Sequence, residues 1–240
     1  MIASGNSDRG VLLHRRPYTD SRWLVDFLTD RNGRISGVHR TGSKHQSSLE
    51  LFVEYSIAWR GKSQLVTISQ CEVEKIFPIE GRKLYLGLYL NELVAKTTRP
   101  EEHVEGLFGV YVDSISAIGG ERSDVEPILR SFERTLLKGL GYEIAFDVEA
   151  SNGNAIDPAE RYEYLADGGF RRLENGSAEG FDGASLLAIS RNDYSQARTR
   201  AVAKFVLRSA LQHRIGDQKI LSRSLFGSKV PQMNETSRIT

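Results

Sequence analysis

Apolar and polar positions alternate with a period of two through residues 10–76, then switch to helical spacing. Five runs rich in β-branched and aromatic residues carry the first pattern: Val11–His14, Trp23–Leu28, Ile35–Val38, Leu51–Trp59 and Leu65–Ile68. Turn signals separate them. Pro17 punctuates the first gap, Asn32-Gly33 reads as a type I′ hairpin, and Arg60-Gly61-Lys62-Ser63 reads as another tight turn. The gap from Thr41 to Ser48 is long and polar, with Gly42 and two adjacent serines. Five short strands with unequal loops fit a small closed barrel, and both an OB-fold and an SH3-like barrel satisfy the pattern.

After Pro78 the period becomes 3.6. Leu84, Tyr85, Leu88, Tyr89 and Leu93 predict a helix over about residues 82–97, ended by Arg99-Pro100. Val104, Leu107, Phe108, Tyr111, Val112, Ile115 and Ile118 mark a second helix, stopped by Gly119-Gly120. The third opens with the capping-box pattern Ser123-x-x-Glu126, has Pro127 in its first turn and meets Gly141 as a C′ residue. Its apolar stripe is Ile128, Leu129, Phe132, Leu136, Leu137 and Leu140. Residues 147–183 are rich in Gly, Asn, Asp and Glu; Tyr162–Tyr164 and Gly168–Phe170 predict a small irregular β-hairpin insert. Helical spacing returns at Ala184–Ile189 and about 195–213, and a short segment, Lys219–Phe226, precedes a polar tail expected to be disordered. The pattern predicts an α+β protein: an N-terminal five-stranded barrel over 1–79 and a helical domain over 80–240.

The length, 240 residues, agrees with one or two domains, and no apolar run approaches the ~18 residues of a membrane span. The N-terminus, Met1 to Asp8, lacks the basic and apolar regions of a secretory signal, so a cytoplasmic protein is expected. A single cysteine, Cys71, excludes a disulfide framework and a Cys-rich zinc site, and reads as a small core residue. Net charge is +1, but it is unevenly spread. Residues 1–79 hold 11 Lys/Arg against 8 Asp/Glu, residues 80–190 hold 11 against 20, and residues 191–240 hold 10 against 3. Two basic ends around an acidic middle point to a polyanionic partner.

Little in the sequence points to catalysis. Histidines 14, 39, 45, 103 and 213 pair with no carboxylate at motif spacing, and nucleophile-elbow, P-loop and zincin motifs are absent. Asp20, Asp26 and Asp30 are the material for a Mg²⁺-dependent nuclease site, although they fall on different strands and turns. Basic residues interleaved with aromatics suit single strands better, because cations track phosphates while ring faces stack bases. The barrel candidates are Arg15, Arg16, Tyr18, Arg34, Arg40, Lys44 and His45, beside Trp23. Near the C-terminus, Arg200, Lys204 and Arg208 form an i, i+4, i+8 row on one helix face, with Asp193 and Asp217 as the nearby acids. On the third helix, Arg130 and Arg134 lie one turn apart among apolar residues.

Together these stretches resemble the RecO family of bacterial recombination mediators. Val11–Ser21 resembles its first barrel strand and turn, and Phe27–Arg34 its second-to-third strand hairpin. Leu84–Leu93, with Asn91-Glu92-Leu93, is similar to its first helix. Leu129-Arg130-x-Phe132-Glu133, running on to Leu140-Gly141-Tyr142, is similar to its long helix. Leu221–Phe226 resembles its C-terminal segment.

The resemblance implies an N-terminal OB-fold, a helical C-terminal domain, and ATP-independent binding and annealing of single-stranded DNA. Substrates would include strands coated by the single-stranded DNA-binding protein, SSB. It further implies work with RecR, in some pathways RecF, to load RecA, and hence a nucleoid-associated location. It assigns Arg130 to the acidic-aromatic SSB tail, with Phe132 and Leu136 as core or pocket edge. Many members carry a Cys₄ zinc site in the insert; residues 147–183 contain no cysteine, so no metal or other cofactor is expected and the hairpin must hold by packing. The third-strand region, Val38–His45, keeps Arg40 and Lys44 but fewer charges than is usual for the family. Two rival readings are an OB-fold RNA-binding module and the Mg²⁺-dependent nuclease.

Overall fold

A computed structural model describes residues 6–40, 49–62, 64–121, 124–166, 169–174 and 179–225. Lys44, His45, Ser123 and the expected disordered tail lie outside the described residues. Five strands, β1 (Asn6–Thr19), β2 (Arg22–Thr29), β3 (Gly33–Arg40), β4 (Val53–Arg60) and β5 (Val66–Ile76), close in the order β1-β2-β3-β5-β4. β3 and β5 pair in parallel, Gly37 opposite Val66, and the other pairs are antiparallel. That order is the OB-fold, which removes the SH3-like alternative.

Period-two alternation lets β1 face two cores. Leu12 points into the barrel with Val25, Phe27, Ile35, Tyr55, Ile57, Trp59 and Ile68, while Val11 and Leu13 point outward into the helical core. The outward set joins α1 (Arg82–Thr97), α2 (Leu107–Gly119), α3 (Glu126–Gly139), α4 (Gly183–Ser190) and α5 (Ala197–Ile215) in one continuous apolar cluster. Asn91 of α1 seals the seam, its amide donating to the Leu13 carbonyl at 3.0 Å while its side-chain oxygen accepts from Tyr111. A short α6 (Ser222–Leu225) lies against α1. The insert is a three-stranded sheet, β7-β6-β8, from β6 (Arg161–Leu165), β7 (Gly169–Arg172) and β8 (Phe181–Asp182). Phe146 and Tyr164 pack on Phe170 at 5.3 and 5.4 Å between ring centroids. Among the described residues, no helix is long and apolar enough to cross a membrane.

Several local expectations change. Asn32-Gly33 is not a type I′ turn: Thr29 pairs with Gly33, so the loop has three residues, and only Gly33 takes a positive φ, +65°. The left-handed conformation and the Glu102 carbonyl, 2.2 Å from where a Cβ would stand, both require glycine there. Pro17 does not break β1 but sits within it, opposite Trp23, where β1 has left β4 and its second edge is unpaired. β5 runs on to Ile76 because the polar stretch after Ile68 is an exposed strand, which hides its period. Cys71 is half-buried there rather than in the core, and burial pushes its thiol up to about 12. α3 begins at Glu126 with Val125 at the cap and no side-chain cap. Its C-terminus is a Schellman motif: Gly141 donates to the Lys138 carbonyl at 2.9 Å and Tyr142 to that of Leu137 at 2.8 Å.

Candidate nucleic-acid interface

The antiparallel register of β1, β2 and β3 brings the end of β1, the start of β2 and the end of β3 to one rim of the barrel. Arg15, Arg16 and Tyr18 stand on β1, Arg22 and Trp23 on β2, and His39 and Arg40 on β3. Arg22 is directly opposite Arg40, and Trp23 opposite His39. Arg16, Arg22 and Arg40 are exposed and form no ion pair among the described residues. Like charges across a strand pair are unfavourable on their own, and a bound anion would relieve that repulsion.

Two aromatic faces accompany the charges. Tyr18 is 55% exposed, and Trp23 lies under the Arg15 guanidinium at 5.2 Å. Arg15 is itself anchored, donating to the Leu49 carbonyl and lying 3.7 Å from Glu50, so it orients Trp23 more than it reaches outward. Burial pushes the His39 imidazole below its ordinary value, so His39 adds no charge at neutral pH.

Arg34 stands elsewhere. It is six residues before Arg40 on β3, ~20 Å along the strand, and its side chain is only 14% exposed. It donates to the Thr98 carbonyl at 3.1 Å and lies 4.0 Å from Asp26, joining barrel to helices rather than facing a ligand. The three aspartates are likewise apart. Asp26 accepts from Ser36, Asp30 pairs with Arg9 at 2.9 Å, and Asp20 is in the exposed β1–β2 turn.

The α5 row is not a uniform ridge. Arg200 donates to the carbonyls of Tyr194 and Ser195, at 2.8 Å each. Arg200 and Lys204 both approach Glu126 of α3, at 3.6 and 3.8 Å. The sequence offered only Asp193 and Asp217 as neutralising acids; the one that acts is on another helix.

Arg208 turns inward to a buried charge cluster. Its guanidinium lies 5.8 Å from the Tyr89 ring centre, with Arg223 of α6 at 5.7 Å. Tyr89 donates to Glu133 at 2.6 Å, and Arg130 lies 3.1 Å from the other oxygen of Glu133. Burial pushes the Glu133 carboxyl up, against the pull of Arg130, Tyr89, Arg208 and Arg223. Arg130 is 1% exposed, and Phe132 and Leu136 are fully buried. The residues that the resemblance assigns to the acidic tail are thus buried in this structure: helical spacing with Glu133 turns Arg130 into the core, and Phe132 and Leu136 pack there.

With this geometry in view, comparison with known proteins decides the family. The family profile described as Recombination protein O N terminal matches residues 4–77, and the one described as Recombination protein O C terminal matches residues 80–223. The chain belongs to the RecO family. A DNA repair protein RecO of Glaesserella parasuis is 36% identical over 230 residues, spanning 93% of this chain and 95% of the relative. Those of Actinobacillus pleuropneumoniae and Haemophilus influenzae are 34% and 35% identical, spanning 94% and 92% of this chain and 96% of each relative. In this RecO-family chain the rim residue that sequence reasoning left out is Arg22. Its signal was its distance from the Asp20-Ser21 turn, which sets it across from Arg40.

Proposed function

We propose that this chain is a non-enzymatic mediator of recombinational DNA repair that binds and anneals single-stranded DNA at the barrel rim. The observation that carries the reading is the set of exposed, unneutralised arginines, Arg16, Arg22 and Arg40, beside the faces of Tyr18 and Trp23. Phosphates meet the guanidiniums, and unpaired bases stack on the rings. Strands held this way keep their base-pairing edges free, which annealing requires. No ATP enters the reading.

Membership of the RecO family supports the finer assignments: action on SSB-coated strands through the acidic SSB tail, cooperation with RecR and in some pathways RecF, and help in loading RecA. Such work is done on the nucleoid in the cytoplasm. The tail contact rests with Arg130 alone among the residues named for it, and requires an opening beside α3.

The test is annealing of complementary oligonucleotides coated with the cognate SSB, without nucleotide, with and without Mg²⁺. Faster annealing with intact product strands is expected under both conditions. Mg²⁺-dependent strand loss would restore the nuclease reading, and a preference for structured RNA without annealing would favour the RNA-binding module.

A further inference from the structure

We infer that the C-terminal segment Lys219–Leu225 is a detachable cover, latched by Glu92, over an arginine cluster that accepts a carboxylate when the cover lifts. The inference rests on the acidic-tail reading above and assigns its regulation. The latch is on α1. The two oxygens of Glu92 accept the backbone N–H groups of Leu221 and Ser222, each at 2.8 Å. Lys96, one turn further and 2.9 Å from Glu92, donates to the Lys219 carbonyl. Burial alone would raise the Glu92 carboxyl, but hydrogen bonds from Ser222, Lys96 and Leu221 outweigh it and hold the group below its ordinary range.

Apolar packing holds the cover weakly. Ile220 is its one buried apolar side chain, while Leu221 is 68% exposed. The chain reaches it through Gly216, at φ +63°, and two further exposed residues, Asp217 and Gln218. A segment held by a few polar contacts beyond a glycine turn belongs to the low-stability end of a fold.

Beneath it the charges do not balance. Arg130, Arg208 and Arg223 surround one carboxylate, Glu133. Arg130 Nη1 is taken by Glu133 at 3.1 Å, while Arg130 Nε, Arg208 Nε and Arg223 Nε are buried without a hydrogen-bond partner among the described residues. Buried unpaired donors are costly, and a second carboxylate satisfies them. Arg223 is carried by the cover and lies over Tyr89, donating to its hydroxyl at 3.5 Å. Lifting the cover removes Arg223 from the Tyr89 ring, which Arg208 also flanks, and on this proposal exposes the Tyr89–Glu133–Arg130 chain behind it.

The experiment compares the full-length wild type with Glu92→Gln, which keeps the side chain's size and removes its charge. Ile220→Ala loosens the cover independently. Amide exchange is followed over residues 219–225, phenylglyoxal labelling at Arg130, and binding with a synthetic acidic peptide ending in phenylalanine. Weakening two charge-assisted hydrogen bonds is expected to speed exchange about tenfold or more. Arg130 labelling and peptide affinity should rise with it in both variants, and bound peptide should protect Arg130. Unchanged exchange in Glu92→Gln would overturn the latch. Faster exchange with Arg130 still unlabelled would overturn the cover. Raised labelling without peptide binding to any of the three proteins would uphold the cover and overturn the acidic-tail reading.

Discussion

The barrel rim and the helical cluster use the same residue in opposite ways. On the rim, Arg16, Arg22 and Arg40 are exposed, unneutralised, and in one pair set directly across from each other. In the cluster, Arg130 is buried against Glu133, and Arg208 and Arg223 flank Tyr89. A guanidinium in water beside another guanidinium suits a phosphate, because a polyanion would remove the repulsion. One buried beside a carboxylate holds the fold while it stays closed, because removing either partner leaves a desolvated charge. Burial and the nearest acid decide the role; residue type does not.

The sharpest way to break this contrast is to remove Glu133. Glu133→Ala strands Arg130 and should cost about 3–5 kcal/mol, read from urea unfolding, whereas a rim substitution should leave the unfolding midpoint nearly unchanged. On the rim, Tyr18→Ala should weaken single-strand binding by ~1–3 kcal/mol, measured by fluorescence anisotropy, with stability intact. Arg22→Ala and Arg40→Ala should each flatten the log–log salt dependence of that binding by roughly 0.7 per lost phosphate contact. Smallest should be Lys204→Ala, whose exposed pair with Glu126 is worth under about 1 kcal/mol.

A separate check concerns acid. Burial alone would raise Asp8, but hydrogen bonds from Arg31, Asn32 and Arg9 outweigh it and hold the carboxyl below its ordinary value. Asp8 therefore stabilises the fold above the unfolded-state value of 3.8, and that contribution is lost as pH falls through the lower folded value. Asp8→Asn should be less stable at neutral pH, and the difference from wild type should close as unfolding is followed into acid.

Much of the architecture was legible because the hydrophobic period is strong. Val11-Leu12-Leu13 alternates between two cores, and α1 starts and stops where its apolar stripe does. What the sequence concealed depends on distant neighbours. β5 beyond Ile68 is exposed and polar, and its hydrogen bonds come from β4. Arg200 and Lys204 read as a bare basic row until α3 brings Glu126 against them. Arg34 carries the same charge as Arg40, yet the Thr98 carbonyl and Asp26 claim it. Arg22 lacked any local signal except its register across the first turn.

The measurement that tests the central claim most directly is the salt dependence of single-stranded DNA binding by Arg22→Ala/Arg40→Ala beside Arg200→Ala/Lys204→Ala. The rim pair should lose affinity and flatten the slope by about 1.4, two contacts' worth, while the α5 pair keeps the wild-type slope. The reverse, a flattened slope in the α5 pair and none at the rim, would contradict the assignment of DNA to the barrel.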